Sequence, residues 1–152
     1  MTEDIIQNQI KLIGFRAANF NFKTTANPGK KELKDKKFNL DLENLLFGDS
    51  PKHFGKVFKV DLTFDSIGHN EIYDINVEYH VVFECLDDVN EQFLESDFSK
   101  ISAPAIGFPY LRSFISTFSI QAGIPPIILP SINFVQFSKI LDKVKEEKIK
   151  TN

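Results

Sequence analysis

Two segments in the middle of the chain alternate strictly between apolar and polar residues. The apolar positions of the first segment are Phe58, Val60, Leu62 and Phe64. Those of the second are Ile75, Val77, Tyr79, Val81 and Phe83. A period of two places all apolar side chains on one face of a strand and the polar ones on the other. With Ser66 to Asn70 as a hairpin connection, we predict two neighbouring antiparallel strands that each bury one face.

The part of the chain before these two segments predicts further strands and one loop. Residues 9–23 show a period of two that changes phase, which favours one long strand or two halves with an irregularity near Gly14. Phe38, Leu40 and Leu42 alternate with polar residues and predict a short strand. Between these segments, residues 24–37 contain Asn-Pro-Gly and five lysines, which is typical of a loop.

The last third of the chain changes to helical spacing. Pro109 suits the first turn of a helix and Gly123 suits its end, so the pattern predicts a long helix over 107–122. Residues 124–130, IPPIILP, contain three prolines and predict an extended connector. A second helix over 133–148 follows, with Asn133 as its cap. Its apolar stripe comprises Phe134, Phe137, Ile140, Leu141 and Val144.

Strands come first and helices last, which predicts one α+β domain over residues 1–152, with strands mainly within 9–84. We expect an antiparallel sheet with the two C-terminal helices packed on one side. The acidic segment 87–99 between the two parts predicts a short helix or a loop.

Composition narrows the functional classes. The chain has a net charge of -3 and no apolar run long enough for a bilayer, and its start lacks the order of a secretory signal. We therefore expect a cytoplasmic protein without membrane insertion, with its single Cys85 as a structural, half-buried thiol. Residues 41–100 hold fourteen acidic side chains against four basic ones, which disfavours nucleic-acid binding.

The side chains that could take part in catalysis or metal binding are scattered along the sequence. No glycine-rich run precedes a helix, and His53, His69 and His80 lack metal-ligand spacing, which predicts no bound nucleotide or metal. His80 and Cys85 are five residues apart in a strand and point to opposite faces, so they form no nucleophile–base pair. We read the numerous carboxylates as a solvated acidic face. The expectation is a protein that is not an enzyme and has no cofactor.

The segment from 107 to 141 carries a more specific signal. It holds a Phe-Pro-Tyr-x-Arg entry to the long helix, from Phe108 to Arg112, and a glycine–proline exit at Gly123 and Pro125. Pro130 and then Asn133-Phe134 open the last helix. This pattern resembles the SecB family of export chaperones. The resemblance implies a four-stranded antiparallel sheet with two helices, assembled as a homotetramer, a dimer of dimers with the long helices sandwiched between the sheets.

The resemblance also implies a function, namely ATP-independent holding of unfolded secretory precursors and their transfer to the export motor SecA. The motor-docking surface of the family is acidic, whereas the corresponding positions in this chain are Asn19, Lys23, Asp74 and Asn76. The tail is short and rich in lysine. Two alternative partners therefore remain, namely SecA and the antitoxin of a toxin–antitoxin system.

Sixteen phenylalanines exceed what one core requires, unless they reflect a biased genome. We expect a client-binding groove lined by aromatic side chains, with membership of the core as the alternative for each. The groove residues predicted on this basis are Phe38, Phe54, Phe108, Tyr110, Phe114, Phe134 and Phe137. Two rival classes are a monomeric carrier that encloses a small hydrophobic ligand and an unrecognised hydrolase.

Overall fold

The computed structural model describes residues 10–29, 36–66 and 70–151. The chain divides into two compact units, residues 1–88 and 89–152, and each is described by itself. The middle of the predicted hairpin connection, 67–69, and part of the predicted loop, 30–35, lie outside the described residues. The prediction of a single domain stays a prediction.

The first unit is a four-stranded antiparallel sheet. Its strands are β1 (Ile10–Ala26), β2 (Lys37–Leu46), β3 (His53–Ser66) and β4 (Glu71–Cys85), in the spatial order β1-β4-β3-β2. The two strands with strict alternation pair without interruption, from His53 opposite Glu84 to Ser66 opposite Glu71. The α+β class and the antiparallel sheet predicted from the pattern are confirmed.

The long first strand is a single strand with two irregularities. Its register against β4 shifts between Leu12 and Gly14 and again between Ala17 and Asn19. Each inserted residue reverses which side chains face which way, because successive side chains in a strand alternate. The irregularity near Gly14 was predicted. The second, at residue 18, was not, because small and polar residues around it mask the change of phase.

Cross-strand pairing gives the sheet an apolar and a polar face. On the apolar face Phe58 lies opposite Tyr79, and Val60 lies opposite Val77. All four are at most 3% exposed. On the polar face Lys59 lies opposite Glu78. One buried and one solvated face is what the alternation predicted.

Lys56 interrupts the apolar face. It is only 6% exposed, and its ammonium group donates a 2.7 Å hydrogen bond to Oδ1 of Asn44. The same group lies 5.4 Å from the centroid of the Phe54 ring. A buried ammonium needs such partners, because its transfer out of water is otherwise costly.

The second unit is helical. Its elements are α1 (Glu91–Leu94), a π-helical segment (Phe98–Ser102), α2 (Ala103–Gln121) and α3 (Phe134–Thr151). The side chain of Asn90 caps α1 by accepting a 2.8 Å hydrogen bond from the backbone N–H of Phe93. A short helix was one of the two alternatives predicted for this segment.

The long helix begins earlier than predicted. It starts at Ala103 rather than at residue 107, and Pro109 lies inside it. Pro104 takes the early position that the prediction gave to Pro109, because the preceding π-helical segment already winds the backbone. Pro109 lacks an N–H, so the carbonyl group of Ala105 loses its intrahelical partner. Buried residues follow one seam of α2 and include Gly107, Leu111, Ile115 and Ser119.

The end of α2 is a glycine cap. The N–H of Ile124 bonds to the carbonyl group of Ser119, and the N–H of Gly123 bonds to that of Ile120. Gly123 has a φ of 79°, a conformation that disfavours residues with a Cβ atom. The predicted stop is confirmed, because this pair of bonds satisfies carbonyl groups that the helix leaves without partners.

The last helix begins where Asn133 was predicted to cap it. The side chain of Asn133 accepts a 3.2 Å hydrogen bond from the N–H of Gln136. Of the predicted apolar stripe only Phe134 is buried; Phe137 and Leu141 are half-buried, whereas Ile140 is 59% exposed and Val144 is 43% exposed. Within the described ranges, no helix is both long enough and apolar enough to cross a bilayer.

Candidate functional site

The seven residues predicted for a groove differ widely in exposure. Three are buried, with exposures of 0% for Phe54, 3% for Phe108 and 5% for Phe134. Tyr110 is 37% exposed. The half-buried members are Phe38, Phe114 and Phe137. Phe38 and Phe54 belong to the first unit and the other five to the second.

Three of the predicted residues form one aromatic cluster where α2 meets the start of α3. The rings of Phe108 and Phe134 lie edge to face, with centroids 5.6 Å apart. Phe134 makes a similar contact with Phe137 at 6.0 Å. Phe137 is the accessible end of this cluster, whereas Phe108 and Phe134 are its buried part.

The most exposed apolar side chains of the second unit are aliphatic, which the search for aromatic residues missed. Ile120 at the end of α2 is 61% exposed and Ile128 in the connector is 74% exposed. The exposed apolar residues of α3 are Val135, Ile140, Val144 and Ile149. Ile140 and Val144 are four residues apart, so they lie side by side on the helix surface. The helical stripe in the sequence contained this signal.

In the first unit, the edge strand β2 is less covered than its neighbour. Phe38, Leu40 and Leu42 lie on the apolar face but stay half-buried, and Leu46 is 57% exposed. The register of β2 against β3 has no bulge from Lys37 to Leu46. Its outer edge has no strand partner among the residues described. Such an edge offers backbone N–H and C=O groups to an extended chain.

On the polar face, several polar and charged side chains pair with one another. Lys59 lies 3.0 Å from Glu43, and His53 lies 3.4 Å from Glu84. The hydrogen bond between Glu43 and Lys59 raises the pKa of the ammonium group. Such pairs leave these groups with little need for an outside partner.

At one end of the polar face, the four strands line a cavity of about 520 Å³. Two lysines on the edge strands and four polar residues on the central strands contribute to it, namely Lys23, Lys37, Asp61, Thr63, Asp74 and Asn76. The hydroxyl group of Thr63 donates a 2.7 Å hydrogen bond to Asp74, and the side-chain amide of Asn76 donates to Asp61. Three of the four positions that the resemblance aligns with a docking surface, Lys23, Asp74 and Asn76, line this cavity. Asn19 does not.

The described part of the chain contains no group of three His, Cys, Asp or Glu side chains that could hold a metal ion. Cys85 is 7% exposed, and burial raises the pKa of its thiol, so the thiol is protonated at neutral pH. Register places Cys85 opposite Ile10 and His80 opposite Arg16, on different faces of β4. They do not form a nucleophile–base pair.

The sequence matches a known family over most of its length. The family described as preprotein translocase subunit SecB matches residues 13–141. An uncharacterized protein of Methanocaldococcus jannaschii is 31% identical over 121 residues, which cover 79% of this chain and 76% of that protein.

Two solved structures have a similar fold. One is a SecB-like chaperone of Mycobacterium tuberculosis in complex with a ChAD peptide from an antitoxin, with a TM-score of 0.62 and 12% identity. This structural match covers 82% of this chain and 91% of the chaperone chain. The other is a protein of unknown function from Streptococcus agalactiae, with a TM-score of 0.50, 12% identity and coverage of 80% and 97%. At this identity the likeness concerns the fold alone.

Proposed function

Because the chain belongs to the SecB family, we propose that it is an ATP-independent holdase chaperone that binds unfolded polypeptides through accessible apolar surface. The observation that carries the proposal is the set of large aliphatic side chains left in water. Ile120, Ile128 and Ile140 are each at least 59% exposed. Exposed apolar side chains of this kind suit a surface that buries them against the apolar segments of a client.

A holdase must bind the unfolded state of its client and ignore the native state. Apolar contacts meet this need, because an unfolded chain exposes the apolar area that its folded form buries. Full burial of one isoleucine or valine side chain contributes about 1.5–3 kcal/mol. Several such contacts on one client add up through a high effective concentration, so each of them can stay weak.

The edge of β2 supports the same function in another way. An extended client segment can add to this edge through main-chain hydrogen bonds, which do not depend on the client's sequence. Its alternate side chains would then meet the half-buried Phe38, Leu40 and Leu42. Low specificity follows from this mode of binding, as a chaperone of many clients requires.

The proposed assembly is a homotetramer, a dimer of dimers, as in the family. Ile106 and Tyr110 on α2 are 43% and 37% exposed, although the opposite side of this helix is buried. Packing of α2 against another copy would cover them. Size-exclusion chromatography with light scattering should give about four times 17.4 kDa. A monomer would instead favour the rival carrier of a small ligand.

Two kinds of client fit this proposal. The family's description as a preprotein translocase subunit supports secretory precursors as clients, with SecA as the proposed recipient, and the solved SecB-like chaperone was in complex with an antitoxin peptide. With either kind of client, the proposal is a cytoplasmic protein that needs no cofactor and is not an enzyme. Binding of a purified precursor and of a toxin-associated antitoxin should be measured in parallel.

The decisive experiment is suppression of aggregation of an unfolded precursor in the absence of ATP. We expect Ile140→Ser combined with Val144→Ser to weaken suppression several-fold, because these substitutions remove exposed apolar area from α3. A matched control combines Gln136→Ser with Lys143→Ser on the same helix, and we expect it to act as the wild type. Unchanged suppression in the first variant would contradict the proposed surface, and no suppression by the wild type would contradict the function.

Phe137→Ser tests the aromatic part of the surface. Phe137 is half-buried, so its truncation removes accessible area at modest structural cost. Phe134 is unsuitable for this purpose, since it is 5% exposed and its loss perturbs the fold of the unit.

A further inference from the structure

On the apolar face of the sheet, the edge strand β2 meets β3 through five facing pairs of side chains. Four of these pairs are apolar on both strands, namely Phe38 with Leu62, Leu40 with Val60, Leu42 with Phe58 and Leu46 with Phe54. Hydrophobic contact is not directional, so each of these side chains could face the next apolar partner along the strand. A shift of β2 by two residues also keeps every side chain on its own face. The four apolar pairs therefore discriminate only weakly against a shifted register.

The fifth pair is polar. Asn44 lies opposite Lys56, and the ammonium group of Lys56 donates a 2.7 Å hydrogen bond to Oδ1 of Asn44. Lys56 is 6% exposed, and its neighbours on this face of β3, Phe54 and Phe58, are fully buried. Asn44 is exposed on the edge strand. Among the five facing pairs, only this one depends on a match between a donor and an acceptor.

A shift of β2 by two residues removes this match in either direction. One shift would place Lys56 opposite Leu42, and the other would place it opposite Leu46. Asn44 would face a phenylalanine in both cases. A buried ammonium group that loses such an acceptor is costly, because its charge has been taken out of water. Both shifted registers are thus disfavoured by the same group.

The next position along the two strands favours the same register from the polar face. Leu45 lies opposite Gly55. A Cβ atom at Gly55 would lie 3.0 Å from Cβ of Leu45 and 3.2 Å from its Cδ2 atom, so the leucine side chain lies directly over the glycine. In the shifted registers Leu45 would face His53 or Val57, which have side chains of their own.

We propose that Asn44 and Lys56 form a register-setting pair, which fixes the alignment of the edge strand β2 on β3. The pair contributes more to alignment than to stability, since apolar residues of similar volume can replace a buried polar pair at little cost in stability. Alignment matters at this edge, because the backbone groups and side chains that β2 presents to an extended chain move with its register. The inference depends on strand pairing and not on the proposed holdase function.

The test determines the register by disulfide cross-linking in the full chain. Asn39→Cys is combined with Asp61→Cys, which reports the observed register, or with Lys59→Cys or Thr63→Cys, which report the two shifted registers. Directly opposite positions are close enough for a disulfide, whereas diagonal positions are too far apart. Mass spectrometry of the oxidised protein identifies the intramolecular cross-links, and the native Cys85 is buried.

In the otherwise unchanged chain, we expect a cross-link only between positions 39 and 61. With Asn44→Leu and Lys56→Met together, the fraction of shifted cross-links should rise at least about tenfold, which corresponds to roughly 1.4 kcal/mol in the balance between registers. The melting temperature of this double variant should stay close to that of the wild type. Asn44→Leu alone should lower the melting temperature more than the double variant does, because the buried ammonium group loses its acceptor.

The matched control is Leu40→Met with Val60→Ile, a facing apolar pair of the same two strands, and it should keep the observed register. Shifted cross-links that stay as rare in the double variant as in the wild type would overturn the proposal. So would shifted cross-links that are equally frequent in the control. If circular dichroism shows that the double variant is unfolded, Lys56→Met alone is tested, since it keeps the exposed Asn44. The observed register alone in that variant would also contradict the proposal.

Discussion

The ring of Phe108 on α2 meets the ring of Phe134 at the start of α3 edge to face, with centroids 5.6 Å apart. Both residues are at most 5% exposed, so the contact belongs to the interior of the helical unit rather than to its accessible surface. The approach of the two helices at this point therefore depends on these two rings.

Phe134→Ala should lower the free energy of unfolding by about 3–5 kcal/mol, because it leaves a cavity and removes an aromatic pair. Urea denaturation followed by circular dichroism measures the change. Phe137→Ala is the matched control one turn later, and it should cost clearly less because Phe137 is half-buried. Equal losses in the two variants would mean that the Phe108–Phe134 contact is not what holds the start of α3 against α2.

Gly55 and Gly14 flank Val82 from the two neighbouring strands, and only one of them has room for a side chain. A Cβ atom at Gly55 would lie 3.0 Å from Cβ of Leu45 and 3.1 Å from the carbonyl oxygen of Val81. At Gly14 it would meet no atom within 4 Å. Gly55→Ala should therefore destabilise the sheet by about 1–3 kcal/mol. Gly14→Ala should be close to neutral, and a thermal melt that ranks the two the other way would contradict the pairing of both glycines with Val82.

The ammonium group of Lys100 lies 2.7 Å from Glu95 and 3.3 Å from Asp142, which joins the segment before α2 to α3. The hydrogen bond to Lys100 lowers the pKa of Glu95 below its ordinary value of 4.5. The same bond raises the pKa of Lys100 above 10.5. The contribution of Glu95 to stability is therefore present above about pH 4.5 and is lost as the pH falls through its lowered pKa. That of Lys100 is present below pH 10.5 and is lost as the pH rises through its raised pKa.

Lys100→Met should consequently lower stability by a constant amount between about pH 5 and pH 10. The amount stays below about 1 kcal/mol, because the side chain of Glu95 is 69% exposed and solvent screens the pair. The difference from the wild type should shrink on acidification, as the pH falls through the lowered pKa of Glu95. Urea titrations at pH 3 and pH 7 measure it, with Lys143→Met as the control that should show no such dependence. If the difference in stability grew on acidification, the pH dependence argued for the Glu95–Lys100 pair would be wrong.

The glycine at the end of α2 should also resist substitution. Gly123 has a φ of 79°, and a residue with a Cβ atom in that conformation costs about 1–2 kcal/mol. Gly123→Ala should lower the melting temperature by a few degrees. Gly48→Ala makes a suitable control, since a Cβ atom there meets nothing within 4 Å and its backbone is not in the left-handed region. Equal melting temperatures of the two variants would argue against the cap.

Much of the sheet was predictable, because strand alternation is a local property. The alternation around Val60 and Val77 specified both central strands and the face that each buries. The resemblance between residues 107 and 141 identified the family, and the family match over 13–141 confirms it. The second bulge of β1 was not predictable, since the residues around it are small or polar and give no apolar phase to follow.

The candidate site was less predictable, because exposure depends on neighbours that are distant in the sequence. Phe108, Phe134 and Phe137 look alike along the chain, yet the first two are buried and the third is half-buried. Ile140 belongs to the same helical stripe as Phe134 but is 59% exposed. No local pattern separates these cases, because burial is decided by which other element covers a given turn of the helix.

The order of residues therefore determines the strands, the turns, the helix caps and the family, since each depends on a few neighbouring side chains and backbone angles. Tertiary structure decides which apolar residues stay in water and which charges find partners. Lys23 and Lys37 are separated by fourteen positions in the chain and become the two walls of one cavity only when β4 and β3 lie between their strands. Pairing between distant strands creates that proximity, and its register has to be observed in the folded sheet.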